Sequence, residues 1–337
     1  MTKLQTVLGL MSGTSLDGID VAAIETDGEN IIRSLGQLYV PYDAEARGLL
    51  QAALEAAQNA KPSDWGSSDT WPELVRHADL LVSEAHIGAI ARFRAKHDVA
   101  FTLVGFHGQT VLHRPEAGIT VQIGDPQALA HATDCTVVGQ FRLADIANGG
   151  QGAPLAPLFH AARAKSRSGA LGVLNIGGVA NITLLGDGDK ICAFDTGPGN
   201  AMIDDWVSAK TGRAYDADGA LARRGRVDQA ALQGLLSHTF FDRAPPKSLD
   251  RLAFDPSPVA ALSPEDGAAT LTAFTAAAVA RGLEISGYAP ARLIVCGGGR
   301  HNSALMEALQ RRTGVSAQNC DVLGWSGDAL EAEAFAW

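Results

Sequence analysis

The chain has 337 residues, of which 46% are hydrophobic and 19% charged, and its formal net charge at pH 7 is −10. This length allows two sizeable cores. The negative charge argues against a nucleic-acid surface, because such binding is driven by counterion release around cationic side chains. It leaves ATP open as a ligand, since local backbone dipoles and a metal ion can hold a triphosphate.

The four cysteines form no CxxC pair, which disfavours a structural zinc site and a disulfide framework. The N-terminal apolar run is too short for a signal peptide, and no run approaches the length of a membrane span. We therefore expect a cytoplasmic enzyme with no membrane partner and no nucleic-acid partner.

The first half of the chain opens as an antiparallel meander. Three apolar, strand-like segments are separated by turn residues, and they cover residues 4–11, 19–26 and 31–42. Apolar residues at helical spacing predict a helix from about 71 to 96. Residues 99–106 have the pattern of a buried strand, and we expect a loop and a sheet edge beyond it over 107–115.

The second half repeats this plan. Residues 169–197 again show strand, glycine turn, strand, acidic turn and strand, with Gly177 in the place of Gly13. Such a repeat predicts an α/β protein of two related lobes facing each other across a cleft. Later segments predict helices over 200–212, 228–238 and 264–286, a strand–turn–helix over 291–309 and a short final helix packed on the first lobe. The predicted domains are lobe I, residues 1–165 completed by 326–337, and lobe II, residues 166–325.

The segment GLMSGTSLDGIDVAAIE, residues 9–25, matches neither the Walker loop nor the Rossmann fingerprint. A glycine turn at the tip of a hairpin still directs backbone N–H groups into one concavity, which binds anions. The alternative is an ordinary surface hairpin. The residues that we assign to phosphate binding here are Gly13, Thr14, Ser15, Leu16, Asp17, Gly18, Ile19 and Asp20, and Asp17 is also a candidate to hold a hydrated magnesium ion.

Two further glycine turns follow. NIGGVANIT supplies Asn175, Gly177, Gly178 and Asn181 as the same device in the second lobe. In VCGGGRHN, the bare backbone of Gly297, Gly298 and Gly299 suits the flat ring of adenine or ribose, and a helix N-terminus follows. A tight turn without a ligand is the alternative for both segments.

Acids and amides at strand ends are the candidates for chemistry. Asp195 in FDTGPGN ends a strand before a helix, which places it in a cleft, although a helix-capping role is the alternative. The polar residues that we expect to bind substrate are His107, Gln109, Gln122 and Asp125, and a structural role is the alternative for His107 and Gln109. Glu331 on the final helix is either a metal-linked acid or, as we favour, a solvent-facing residue.

Together these segments resemble the anhydro-N-acetylmuramic acid kinases of the actin, heat-shock ATPase and sugar-kinase superfamily. The resemblance rests on GLMSGTSLDGIDVA, GFHGQTVLHRP, VQIGDP, GQGAPLAPLFH, LNIGGVANIT, FDTGPGNAMID, VCGGGRHN and GDALEAEAFAW, in order along the whole chain. It implies an actin-like ATPase (ribonuclease H-like) fold with a central cleft. Residues 13–20 and 175–181 would be the phosphate motifs, 296–299 the adenosine motif and Asp195 the general base.

The resemblance implies a coupled reaction in cell-wall recycling that uses ATP and Mg²⁺. Water would open the 1,6-anhydro bridge at the anomeric carbon, and the freed 6-oxygen would take the γ-phosphoryl group of ATP. Because that phosphoryl group captures the leaving oxygen, one base suffices where inverting glycosidases use two carboxylates. The resemblance also suggests a homodimer.

Three other functions fit parts of the sequence. A kinase for another anhydrosugar, such as levoglucosan, would use the same lobes. A non-catalytic sugar sensor of the superfamily would carry a helix-turn-helix and often a cysteine-rich zinc motif, and neither is present in the sequence. A glycosidase that used Asp17 and Asp195 would have no use for the hydroxyl-rich turns.

Overall fold

The computed structural model describes residues 3–13, 15–165, 169–186, 190–249 and 253–337. The chain forms two compact units. Unit 1 contains Met1–Lys165 and Ala329–Trp337, and unit 2 contains Ser166–Asp328. The chain therefore returns from unit 2 to unit 1 between residues 328 and 329, whereas the sequence prediction placed this return between residues 325 and 326.

Unit 1 is built on a mixed sheet. Its strands are β1 Gln5–Ser12, β2 Gly18–Thr26, β3 Ile32–Pro41, β4 Leu103–Arg114, β5 Ile119–Ile123 and β6 Thr136–Gly139. The order is β3-β2-β1-β4-β5, and β6 also pairs with β4. The first three strands form the predicted antiparallel meander, whereas β1, β4 and β6 run parallel.

Helices cover this sheet. They are α1 Ala44–Asn59, α2 Glu73–Lys96, α3 Pro126–Thr133, α4 Leu143–Ala147 and α5 Ala156–Ala164. The predicted helix over 71–96 is confirmed, and Ala78, Ala89 and Phe93 on its inner face are fully buried. Leu74, expected on that face, is 42% exposed, because the buried stripe of the first turn passes through Val75 instead.

Strand β4 corrects the predicted loop over 107–115. The strand continues to Arg114, past a shift in register in which Leu10 pairs with Phe106 and Ser12 with Gln109. Gly108 there has φ of +70°, so the chain accommodates one extra residue as a β-bulge and pairing resumes. His107 and Gln109 therefore lie on a buried strand.

Unit 2 has a second mixed sheet. Its strands are β7 Leu171–Ile176, β8 Val179–Leu185, β9 Ile191–Pro198, β10 Arg292–Cys296 and β11 Ser316–Asn319, in the order β11-β10-β7-β8-β9. An antiparallel meander again precedes two strands that run parallel to the first. The shared strand order confirms the predicted repeat and the ribonuclease H-like topology.

The helices of unit 2 agree with the sequence prediction. They are α6 Ala201–Thr211, α7 Gln229–Leu236, α8 Pro264–Ser286 and α9 Ser303–Thr313. Helix α8 is buried along most of its length, since small residues such as Ala276 and Ala278 let it lie close to its neighbours.

The final helix, α10 Leu330–Ala336, packs on the sheet of unit 1. Gly9 and Gly105 are partners on β1 and β4. A Cβ on Gly9 would lie 1.8 Å from the Ala332 carbonyl oxygen, and one on Gly105 would lie 1.8 Å from that of Phe335. Because neither glycine has a side chain, the backbone of α10 can lie directly against β1 and β4 at this point. Among the described residues, no helix combines the length and apolarity that crossing a bilayer requires.

Candidate active site

The turn between β1 and β2 is built from a glycine and a left-handed leucine. Leu16 has φ of +56°, and its N–H donates to the Gly13 carbonyl at 3.2 Å. The Ser15 hydroxyl donates to the Asp17 carboxylate, and both side chains are exposed. The turn therefore presents a hydroxyl and a carboxylate side by side. Thr14, predicted in the same turn, lies outside the described residues.

Three of the predicted phosphate residues belong to strand β2. Gly18 begins the strand, and a Cβ there would lie 2.5 Å from the Val40 carbonyl oxygen. Ile19 is fully buried and Asp20 is half-buried. These residues therefore anchor the end of the turn to strand β2.

Tyr39 is a residue that the sequence analysis missed. It lies opposite Asp20 on β3. Burial, the charges of Asp17 and Asp20 and a hydrogen bond to Asp17 together raise the pKa of Tyr39 to about 12. The phenol stays protonated and donates to the Asp17 carboxylate, so it restrains the acid of the turn.

His107 is buried, and both of its ring nitrogens are engaged. Nε2 accepts a hydrogen bond from Arg142 Nη2 at 2.9 Å, so the proton is on Nδ1, which donates to the Gly108 carbonyl at 2.8 Å. Burial, reinforced by the Arg142 charge, lowers the pKa of His107 to about 3. The imidazole is neutral, and it orients Arg142.

Two buried glutamines, Gln109 and Gln122, lie on the neighbouring strands β4 and β5. Gln109 accepts a hydrogen bond from Ser12 Oγ at 2.6 Å. The amide nitrogen of Gln122 donates to Thr120 Oγ1 at 2.8 Å, whereas its Oε1 is buried with no partner among the described residues. Since a buried acceptor without a donor is unfavourable, Gln122 Oε1 is a candidate to receive a ligand hydrogen bond.

Asp125 is exposed and caps helix α3, where its carboxylate accepts from the Gln127 N–H at 2.8 Å. Two residues of α2 hold the turn in front of it. Asp79 accepts from the Gly124 N–H at 2.7 Å, and Ser83 Oγ accepts from the Asp125 N–H at 2.8 Å. The position of Asp125 is thus fixed from the neighbouring helix.

Glu331 is half-buried on α10 and close to the Arg142 guanidinium. Burial raises the pKa of Glu331, and the positive charge of Arg142 opposes that rise. This glutamate therefore forms part of a charged group with Arg142 and is not a solvent-facing residue.

In unit 2, the turn after β7 lies against the start of α6. Asn200 N–H donates to the Gly177 carbonyl at 2.7 Å, and Gly199 N–H donates to the Gly178 carbonyl at 2.9 Å. A Cβ on Gly199 would lie 2.3 Å from the Gly177 oxygen. Carbonyl groups of this turn are thus paired, and Asn175 and Asn181 face each other across its base.

The triple-glycine turn lies beside that second hairpin. Gly297 has φ of +74°, and a Cβ there would lie 2.4 Å from Asn175 Oδ1. Gly299 is equally close to Ile176. Gly298 has only Asn200 Nδ2 nearby, at 3.7 Å, so it is the glycine of the three with open space beside it.

Arg300, which the sequence analysis did not single out, holds this turn in place. Its Nη1 donates to the Gly297 carbonyl at 3.0 Å, and its guanidinium forms two hydrogen bonds of 2.6 Å with Asp328. The Arg300 side chain is only 4% exposed. A planar bidentate pair of this kind fixes orientation as well as position.

Asp195 lies on the edge strand β9, opposite Asn181. The prediction that Asp195 ends its strand is wrong, because pairing with β8 resumes after a register shift and β9 continues to Pro198. Its Oδ2 accepts from the Leu249 N–H at 2.7 Å, while Oδ1 has no hydrogen bond from a described residue. Burial raises the pKa of Asp195 to about 6, and the Leu249 hydrogen bond opposes that rise. A carboxyl group with this pKa is a carboxylate at neutral pH, yet it is basic enough to take a proton.

Each unit thus brings together predicted residues that are distant in sequence. Unit 2 gathers the second glycine hairpin, the triple-glycine turn and Asp195 around β7 to β10. Unit 1 places Gln109 directly beside Ser12, which leads into the first glycine hairpin. Two ribonuclease H-like units, each with a glycine-turned first hairpin, define the class of actin-like ATPases and sugar kinases.

The comparisons identify the family within that class. The sequence model of the family described as anhydro-N-acetylmuramic acid kinase matches residues 5–337. The kinase of that name from Rhodospirillum rubrum is 50% identical over 98% of this chain and 86% of its own length, and that from Acidiphilium cryptum is 51% identical over 98% and 89%. The chain belongs to the anhydro-N-acetylmuramic acid kinase family.

Among solved structures, component A of (R)-2-hydroxyglutaryl-CoA dehydratase from Acidaminococcus fermentans aligns with a TM-score of 0.47. The alignment has 14% sequence identity and covers 98% of this chain and 97% of that one.

Proposed function

We propose that this chain is an ATP-dependent kinase of 1,6-anhydro-N-acetylmuramic acid. It opens the anhydro ring with water and phosphorylates the 6-oxygen, which gives N-acetylmuramic acid 6-phosphate and ADP. Family membership supports the substrate, and the observation that carries the chemistry is Asp195, a largely buried carboxyl with a pKa of about 6 whose Oδ1 has no hydrogen bond from a described residue.

Asp195 acts as the general base. Its Oδ1 takes a proton from the attacking water, while Leu249 holds Oδ2 in place. The water oxygen bonds to the anomeric carbon as the bond from that carbon to the 6-oxygen breaks. The 6-oxygen then bonds to the γ-phosphorus and ADP leaves, so no separate acid is needed to protonate the leaving oxygen.

The glycine turns bind the nucleotide. Backbone N–H groups of Ser15 and Asp17 in the first glycine turn, and of Gly178 in the second, would bind phosphate oxygens. The Leu16 and Gly177 N–H groups already donate to the Gly13 and Val179 carbonyls. The open side of Gly298 would admit the adenosine, and Arg300 keeps that turn in its conformation.

The residues present fit a magnesium ion held mainly by water and phosphate. Within the described residues, no cluster of three or more His, Cys, Asp or Glu side chains could hold a metal, and magnesium on a nucleotide needs only one or two protein carboxylates. Asp17 is exposed and offers such a carboxylate. Glu331 is a poorer ligand, because Arg142 already neutralises its charge. When bound, the ion would neutralise charge on the transferring phosphoryl group.

The sugar contacts come from unit 1. The unpartnered Oε1 of Gln122 is the best candidate to accept from a sugar N–H or O–H group. Gln109 and Asp125 lie on the adjoining strand and turn and complete the candidate sugar-binding set. His107 contributes by orienting Arg142, since neither of its ring nitrogens is available. A cytoplasmic location, expected from the composition, and a homodimer, expected from the family, belong to the same proposal.

The test is turnover with ATP and each of two sugars, followed by mass spectrometry of the products. We expect phosphorylated product from anhydro-N-acetylmuramic acid, little from levoglucosan, and a loss of about 10²-fold or more in Asp195→Asn, as is typical when a general base is removed. Equal turnover of levoglucosan would favour a kinase for other anhydrosugars. Near wild-type turnover by Asp195→Asn would remove Asp195 as the base.

A further inference from the structure

The segment 247–249 lies along the free edge of β9 and contacts Asp195 twice. The Asp195 N–H donates to the Lys247 carbonyl at 2.9 Å, and the Leu249 N–H donates to Asp195 Oδ2 at 2.7 Å. One hydrogen bond fixes the backbone of the acid and the other fixes its carboxylate. The geometry of Asp195 therefore depends on where this segment is held.

The side chain of Lys247 turns inward and holds the segment. Lys247 is 6% exposed. Its Nζ donates to the Phe240 carbonyl at 3.1 Å and lies 4.4 Å from the centre of the Phe240 ring. Phe240 itself packs against Phe241 and Phe254, with ring centres 5.5 and 6.2 Å away. The lysine thus ties the segment to a rigid aromatic cluster.

A buried ammonium at this position is unfavourable in itself. The described residues place no carboxylate within ion-pair distance of Lys247. Burial and the positive charges of Arg243 and Arg281 lower the pKa of Lys247, and Asp242 offsets this only in part. A methionine would fill similar space without burying a charge. The charge is therefore better explained by the anchoring contacts than by packing.

We propose that Lys247 is a positioning residue for Asp195, and that its anchor on Phe240 keeps the Leu249 N–H on the carboxylate. This inference rests on the proposed function of Asp195 as the base. Without the anchor, the segment moves more freely and the hydrogen bond to Oδ2 weakens. Since that hydrogen bond stabilises the charged form, its loss raises the pKa of Asp195 further.

The experiment is the pH profile of kcat/KM for Lys247→Met. The acid limb of this profile follows the free base. We expect the limb to move to higher pH by about one unit, which means a loss of roughly tenfold at pH 5.5 and little change above pH 8. Lys247→Arg keeps the charge and a donor, so it should restore most of the wild-type profile. Lys247→Gln is a second neutral variant with the same expected direction.

Lys210 provides a matched control in the same unit. Its Nζ lies 4.5 Å from the centre of the Trp206 ring and 3.4 Å from the Ala260 carbonyl oxygen. This is a similar lysine–ring–carbonyl arrangement at an exposed position, and no hydrogen bond joins Lys210 to the described 247–249 segment. Lys210→Met should leave the acid limb unchanged.

A readout that does not need turnover is carbon-13 NMR of the Asp195 carboxyl, assigned by its absence in Asp195→Asn. Its titration midpoint should rise in Lys247→Met. An unmoved midpoint and an unmoved acid limb, or an equal loss of kcat/KM at every pH, would overturn the role of Lys247. If Asp195→Asn is active, the proposed base fails; if it is inactive and the Lys247→Met profile is unmoved, only the inference about Lys247 fails.

Discussion

Replacing Asp195 by asparagine should stabilise the protein while it abolishes turnover. The pKa of Asp195 is raised from an ordinary 3.8 to about 6, so the folded state holds its proton more tightly than the unfolded state. Wild-type stability therefore falls as pH rises from about 4 through about 6. At pH 7.5 the charged carboxylate costs about 3 kcal/mol, or about 2 kcal/mol after allowance for its partial exposure. Asparagine keeps an acceptor for the Leu249 N–H and carries no charge.

The assay is urea unfolding of wild type and Asp195→Asn at pH 7.5 and pH 4.5. We expect the variant to gain about 2–3 kcal/mol in free energy of unfolding at pH 7.5, and about 1 kcal/mol or less at pH 4.5. The change in gain between the two pH values isolates the ionisation from any difference in packing. An equal gain at both pH values, or a loss at pH 7.5, would refute the argument that burial raises the pKa of this acid.

Three further predictions concern the other parts of the site. Gly105→Ala should destabilise the protein by about 3 kcal/mol or more, because its Cβ would meet the Phe335 carbonyl oxygen. Gly88→Ala is the control, since Gly88 has open space around it in α2, and it should be neutral or stabilising. Thermal melts that rank the two variants alike would contradict this prediction. Asp17→Ala should raise the Mg²⁺ concentration needed for half-maximal turnover, whereas an unchanged magnesium titration would remove Asp17 from the metal site. Arg300→Lys cannot form the bidentate pair and should raise the KM for ATP about tenfold with a smaller change in kcat; an unaltered KM would show that the glycine turn needs no such support.

Much of the fold could be predicted because local signals agreed with the tertiary structure. Glycine turns between apolar runs predicted both hairpins, and the helix expected over about 264–286 is α8. Strand β4 was predicted too short, since the polar residues His107 and Gln109 resemble a loop in sequence. Only pairing with β1, resumed after the bulge at Gly108, makes them strand residues.

Residue types could be predicted at the site, but their partners could not. Asp195 was selected because the sequence pattern predicted an acid at a strand end before a glycine bend, although β9 continues to Pro198. Its environment depends on Lys247 and Leu249, which lie more than fifty residues away along the chain. Likewise, Arg142 donates to His107 and its charge acts on Glu331, and no local pattern connects these three residues.

We propose that one enzyme couples water attack on the anhydro ring to phosphoryl transfer. Product analysis in ¹⁸O-water is the direct test of this coupling. The protein would be incubated with ATP and anhydro-N-acetylmuramic acid, and the product analysed by mass spectrometry with fragmentation. We expect one ¹⁸O atom on the anomeric carbon, an unlabelled 6-oxygen and one phosphoryl group on that oxygen. Label in free phosphate with no label on the anomeric carbon would contradict it.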